Sequence, residues 1–209
     1  MVKRWAIADY LPADAFGPGV RSALEALGYD LASAASPGSS DRPPDLRIVD
    51  EQSIDRIPSD PVSPPIPIVL VTRSSGSNTS DARIVASLPQ PATLTGLYAC
   101  FQSALENKQR RAPRVATDLS GRCWRGNDFW SGKLRTVSET GCLFQSGPRL
   151  LSEQEITLVF DLPVDTTIST RARPVHQKDR EVGLAFENLP PESGAAISDY
   201  VIDQLMARP

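Results

Sequence analysis

Three arginines, Arg110, Arg111 and Arg114, crowd into the stretch QRRAPRVATD. A guanidinium is always charged and presents a rigid fork of donors that fits phosphate oxygens and the O6/N7 edge of guanine. A spacing of four, as between Arg110 and Arg114, brings two such forks to one ligand on a turn or a frayed helix end. Further along, TVSETGCLF places Thr136, Ser138 and Gly141 at the end of a strand-like run. A hydroxyl there can donate to a ligand, and a glycine lets backbone approach closely.

The charge around these residues favours an anion. The net charge is −3, yet from Lys108 to Arg135 there are eight basic residues and only two acidic ones, Asp118 and Asp128. A basic surface of this size suits a small phosphorylated ligand better than a duplex, which asks for a wider basic face, and no helix carries the clustered basic residues of a DNA reader. DNA is therefore not an expected partner. Other chemistries fit less well. Cys100, Cys123 and Cys142 are odd in number and lack CxxC spacing, and His176 is the only histidine, so neither a disulfide framework nor a metal site is expected. GNDFWSGKL lacks phosphate-loop spacing and reads as a hairpin turn. The carboxylates are dispersed, with no recognisable catalytic pair, so no enzyme is expected. His176 reads as structural or exposed, and Trp124 and Trp130 as core or cross-strand packing. With no membrane span and no signal peptide in view, the expected setting is the reducing cytoplasm.

Two halves position these residues. In the first, RWAIADY ends in an acid; GVRSALEALGYD carries Val20, Leu24 and Leu27 on one helical face with Gly28 as its cap; DLRIVDE, IPIVLVT and ARIVASL read as strands; and TLTGLYACFQSALEN has a stripe of Leu94, Leu97, Phe101 and Leu105. Such alternation predicts a small doubly wound α/β domain of five parallel strands. Eight prolines between Pro37 and Pro67 predict loops in place of some crossover helices. In the second half, ATDLSGRCWRG, FWSGKLRTVS, GCLFQSG, EITLVFDLP, TTISTRARPVH and EVGLAFENL are six strand-like runs, expected to close as an antiparallel barrel. ESGAAISDYVIDQLMAR, with Ile197, Tyr200, Val201 and Leu205 on one face, is expected to cover it. The expected domains are 1–106, a linker 107–114 holding the arginines, and 115–209.

The order RRAPR, strand, TVSETG opening GCLF, then EVGLAFENL before a helix resembles a PilZ domain, the bacterial receptor module for cyclic di-GMP, over about residues 108–206. That resemblance implies binding through an RxxxR motif, matched by Arg110 and Arg114 with Arg111 as a basic neighbour, and through [D/N]xSxxG, matched by Ser138 and Gly141. Thr136 departs, standing where the family has Asp or Asn; it lacks the longer acceptor for guanine N–H donors.

More loosely, the first half resembles a response-regulator receiver. The residues matching its acid, phosphoacceptor, hydroxyl and lysine-proline positions are Asp9, Asp50, Thr72 and Gln90-Pro91. Ala8 leaves one acid on the first strand, and Gln90 carries no charge. The resemblance thus implies a degenerate receiver serving as a docking or homodimerisation surface, with Asp50 a candidate phosphoacceptor. The combined expectation is a signalling protein that binds cyclic di-GMP at barrel and linker, needs no other cofactor, and controls a protein partner. The alternative is an adaptor that binds neither ancestral ligand.

Overall fold

The β-branched runs of the first half pair side by side in the computed structural model, which describes residues 4–33, 43–57, 64–73, 81–106, 112–146, 155–163 and 165–207. The chain divides into two compact units, Met1–Arg111 with Arg208–Pro209, and Ala112–Ala207. In the first unit, β1 (Trp5–Asp9), β2 (Tyr29–Ser33), β3 (Leu46–Asp50), β4 (Ile68–Thr72) and β5 (Ile84–Pro89) form a parallel sheet in the order β2-β1-β3-β4-β5. This is a doubly wound order whose switch point lies between β1 and β3. The middle strands are buried on both faces: Leu46, Ile48, Val49, Ile68, Val69, Leu70 and Val71 are at most 2% exposed.

The fifth strand is the one that no apolar run announced. β2 lies at the sheet edge, where Ala32 and Ser33 are exposed, so its sequence carries little hydrophobic signal. Helix α1 (Val20–Ala26) buries Val20, Ala23 and Leu24, and Gly28 follows with φ of 95°, the left-handed conformation that ends helices.

Helix α2 (Leu94–Phe101) starts where the Thr93 side chain accepts from the Gly96 N–H and buries Leu94, Leu97 and Phe101. The expected stripe does not continue to Leu105. Beyond Phe101 the chain widens into a π-helix, Gln102–Glu106, which brings Gln102 into the interior and leaves Leu105 half-buried. Gln102 is satisfied there by donating to the Tyr29 hydroxyl at 2.8 Å and to Glu106 at 2.6 Å. Between β3 and β4 the only helical piece among the described residues is a 3-10 turn, Ile54–Arg56; of the proline-rich stretch, Pro37, Pro58 and Pro61 lie outside the described residues.

The second unit is a closed antiparallel barrel. Its strands are β6 (Val115–Arg125), β7 (Asp128–Ser138), β8 (Gly141–Ser146), β9 (Ile156–Leu162), β10 (Thr166–Lys178) and β11 (Glu181–Glu187), ordered β10-β11-β8-β7-β6-β9. Alternation along the strands fills the interior: Leu134, Phe144, Leu158, Phe160, Ile168, Val182 and Leu184 are at most 1% exposed. Cys123 and Cys142 belong to this core, and burial pushes both thiols up, Cys123 to about 12. GNDFWSGKL contributes the β6–β7 hairpin turn, with Gly126 at φ 57°.

Helix α3 (Pro191–Met206) packs against β6, β7 and β10, burying Ile197, Val201, Ile202 and Leu205. Tyr200, expected on that face, is half-buried, because its hydroxyl lies 3.0 Å from the Thr117 hydroxyl on β6. Trp124 belongs to the surface rather than the core: it is 37% exposed and faces Phe129, 61% exposed, across the hairpin. Trp130 is half-buried, with the Arg125 guanidinium 5.8 Å from its ring centroid. No helix among the described residues is long and apolar enough to cross a membrane.

Candidate functional site

Strand pairing gathers one set of motif residues at one end of the barrel. β6 and β7 pair Val115 with Val137 and Ala116 with Thr136. Arg114 immediately precedes this ladder on the β6 side, and Ser138 follows it on β7. β7 and β8 pair Thr136 with Leu143, Val137 with Cys142 and Ser138 with Gly141. Since Val115, Val137 and Cys142 are fully buried and point inward, their alternating neighbours Arg114, Ala116, Thr136 and Ser138 share the barrel's outer face. A β-bulge between Leu134 and Thr136 sets this phase, turning Thr136 outward.

The residues of that face are not equally available. Ser138 is wholly buried, and its hydroxyl donates to the Gly141 carbonyl at 3.0 Å, with the Thr140 hydroxyl 3.4 Å away. It fastens the β7–β8 turn. Gly141 is required by packing: a Cβ there would come within 2.2 Å of the Leu184 carbonyl oxygen on β11. Thr136 is half-buried. Arg114 is exposed and makes no hydrogen bond or ion pair among the described residues. Arg110 and Arg111, the other two arginines of the cluster, lie outside the described residues.

Other basic residues of this stretch are already paired. Arg135 forms an ion pair with Asp118 and donates to Gln145 at 2.6 Å; Lys133 lies 3.2 Å from the same Asp118 carboxylate. Arg125 lies 3.4 Å from Asp128. Eight basic residues stand against two acidic ones in this stretch, but Asp118 bridges two of the cations and reduces the free charge. Arg114 and Arg122 keep theirs, both exposed and unpaired among the described residues.

In the first unit, the receiver-like positions fall at the carboxyl ends of the strands. Asp9 is 2% exposed, accepts from the Leu11 N–H at 2.9 Å, and forms an ion pair with Arg21. Burial outweighs that attraction and raises its carboxyl above the ordinary range. Asp50 is half-buried and accepts from the Ser53 N–H at 2.8 Å. The Thr72 hydroxyl donates to the Leu88 carbonyl at 3.4 Å, and Gln90 accepts from Arg73 at 3.1 Å. Arg21 escaped the sequence reading because it sits on the polar side of an ordinary amphipathic pattern; its spacing of twelve from Asp9 signals nothing. Among the described residues, no three His, Cys, Asp or Glu side chains gather as a metal site.

A family model described as the PilZ domain matches residues 108–203. This part of the chain is a PilZ domain. The match takes in the RxxxR and TVSETG stretches and all six barrel strands. Among curated proteins nothing matches the chain. Solved structures resemble it over about half its length. The Bacillus subtilis inhibitor of motility (MotI/DgrA) is 19% identical over 48% of this chain and 53% of its own, with a TM-score of 0.42, so only about half of that protein is spanned. The PilZ domain with c-di-GMP of YcgR from Escherichia coli is 11% identical over 46% of this chain and 92% of its own, with a TM-score of 0.42. The Borreliella burgdorferi PlzA protein in complex with c-di-GMP is 16% identical over 51% and 47%, with a TM-score of 0.38.

Proposed function

We propose that this chain is a receptor for cyclic di-GMP, bound on the outer face of the PilZ barrel by Arg114, Thr136, Ser138 and Gly141 together with Arg110 and Arg111. The observation that carries the reading is the register: it pairs Thr136 with Ala116 and Ser138 with Gly141 at the strand end that the exposed, unpaired Arg114 immediately precedes. The arginines supply charge-assisted donors to phosphate and guanine edges, while Gly141 lets β8 pack closely on β11 and so holds the end of the site in shape. Ser138 supports the site by holding its turn. No bond is made or broken in this reading, and no other cofactor enters.

Output follows from ordering the linker. Residues 107–114 carry the arginines, so a ligand that grips them changes the arrangement of the two units and the surface offered to a protein partner in the cytoplasm. Calorimetric titration of the purified protein with cyclic di-GMP tests the receptor, with binding expected in the micromolar range or tighter and abolished in Arg110→Ala/Arg114→Ala. Small-angle scattering tests the ordering; identical profiles with and without saturating ligand would remove it.

A second reading, a protein-interaction adaptor, draws on Thr136 and on the internally committed Ser138 hydroxyl. Thr136→Asp separates the two. It restores a longer acceptor and tightens a nucleotide site by roughly one to two powers of ten, and it leaves a pocket built for protein unchanged.

A further inference from the structure

A cross-strand row leads from Thr136 to the one histidine of the chain. Thr136 pairs with Leu143, Leu143 with Gly183, and Gly183 with His176, each on the next strand around the barrel. Three features turn the imidazole toward this row. First, β10 is bulged between Pro174 and His176. Without the extra residue, His176 would pair with Val182, whose side chain points into the core; with it, His176 pairs with Gly183 and lies outside. Second, β11 has no side chain at that point. A Cβ on Gly183 would come within 2.0 Å of His176 Cε1, 2.3 Å of Nδ1 and 2.8 Å of Nε2, so the N–C–N side of the ring lies down on β11, one strand from Leu143. Third, His176 is exposed, and neither nitrogen has a hydrogen-bond partner among the described residues. A ring turned outward, laid over a glycine and left unpaired is available to a ligand on this face.

Resting on the receptor reading above, we propose that His176 is a contact residue for the bound cyclic dinucleotide, its imidazole N–H donating to a guanine edge or a phosphate oxygen. Strands lie about 4.8 Å apart, and the ring already overhangs β11, beside the β8 strand that carries Gly141 and Leu143. It therefore supplies a polar contact on the flank of the site opposite Arg114. The Thr136 side chain cannot offer the longer acceptor the family uses; His176 makes a different contact on the same row.

Calorimetric titration of the full chain with cyclic di-GMP tests this, with thermal unfolding beside it as a control. His176→Ala is expected to weaken binding about tenfold without moving the melting temperature, and His176→Gln, which keeps an N–H donor, to recover most of the loss. Gly183→Ala places a Cβ where the ring now rests and is expected to weaken binding as His176→Ala does. If Gly183→Ala fails to fold, the two His176 variants carry the test. Equal affinity in wild type and His176→Ala, with Arg114→Ala impaired, overturns the histidine contact and leaves the receptor standing. No binding by folded wild type overturns both.

Discussion

The two units place their polar groups in opposite ways. At the strand ends of the parallel sheet, each candidate side chain is already engaged by the fold: Asp9 by Arg21 and the Leu11 N–H, Asp50 by the Ser53 N–H, Thr72 by the Leu88 carbonyl, Gln90 by Arg73. On the barrel's outer face, Arg114 is exposed and unpaired among the described residues, while the groups beneath it are locked in place. Engaged in this way, these side chains serve as internal fastenings of the sheet. A binding face needs the reverse, a fixed frame and an unspent charge.

The comparison breaks most sharply at Gly141. Gly141→Ala drives a Cβ into the Leu184 carbonyl, and chemical denaturation should show a loss of about 2–4 kcal/mol. A small effect would mean that β8 and β11 separate freely. Arg114→Ala should do the opposite: weaken cyclic di-GMP by about 2 kcal/mol, roughly thirtyfold, while changing stability by no more than ~0.5 kcal/mol.

In the sheet the expected pattern inverts. Arg21→Ala leaves a buried carboxylate without its counter-charge and should cost about 1–2 kcal/mol, less than a fully buried pair because Arg21 is partly solvated, with nucleotide affinity unchanged. Its pH dependence follows from Asp9. The folded protein holds the Asp9 proton more tightly than the unfolded chain, so it binds more protons across the interval between the two pKa values, and stability falls as pH rises through that interval. Removing Arg21 lifts the folded value further and widens the interval. Melting temperatures between pH 4 and pH 7, on the order of the carboxylate range and above, should thus fall more steeply with pH in Arg21→Ala than in wild type and flatten in Asp9→Asn.

The smallest effect is expected at Asp50. Asn keeps the acceptor for the Ser53 N–H, so Asp50→Asn should stay within about 0.5 kcal/mol. Acetyl phosphate with Mg²⁺ should leave wild type and variant indistinguishable by intact mass. A phosphoryl adduct on wild type alone would show that Asp50 retains reactivity.

Periodicity made the barrel legible, since six alternating runs with turn residues between them leave few other folds. It failed where geometry departs from a regular period. The stripe Leu94, Leu97, Phe101 gave no warning of the π-helix that buries Gln102, and β2 lacked an apolar run because it sits at the edge. The site was legible as two motifs but not as a face. That Thr136 points outward depends on a bulge, and that Asp118 consumes two cations depends on strand pairing. For Trp124 the sequence leaves core and cross-strand packing open; its parity on β6 puts it outside, opposite Phe129 across the hairpin.

The pairing of β8 with β11 has a consequence in time. Gly141 meets Ala185 only after more than forty further residues have joined the chain, which at roughly 5–20 residues per second is several seconds of synthesis. The β6–β7 hairpin and the β8 strand beside it can form early, yet the glycine that completes the candidate site has nothing to rest against until β11 emerges. A ribosome-bound chain halted before Glu181 should therefore carry both motifs and bind no nucleotide, and competence should arrive in one step with the last strand.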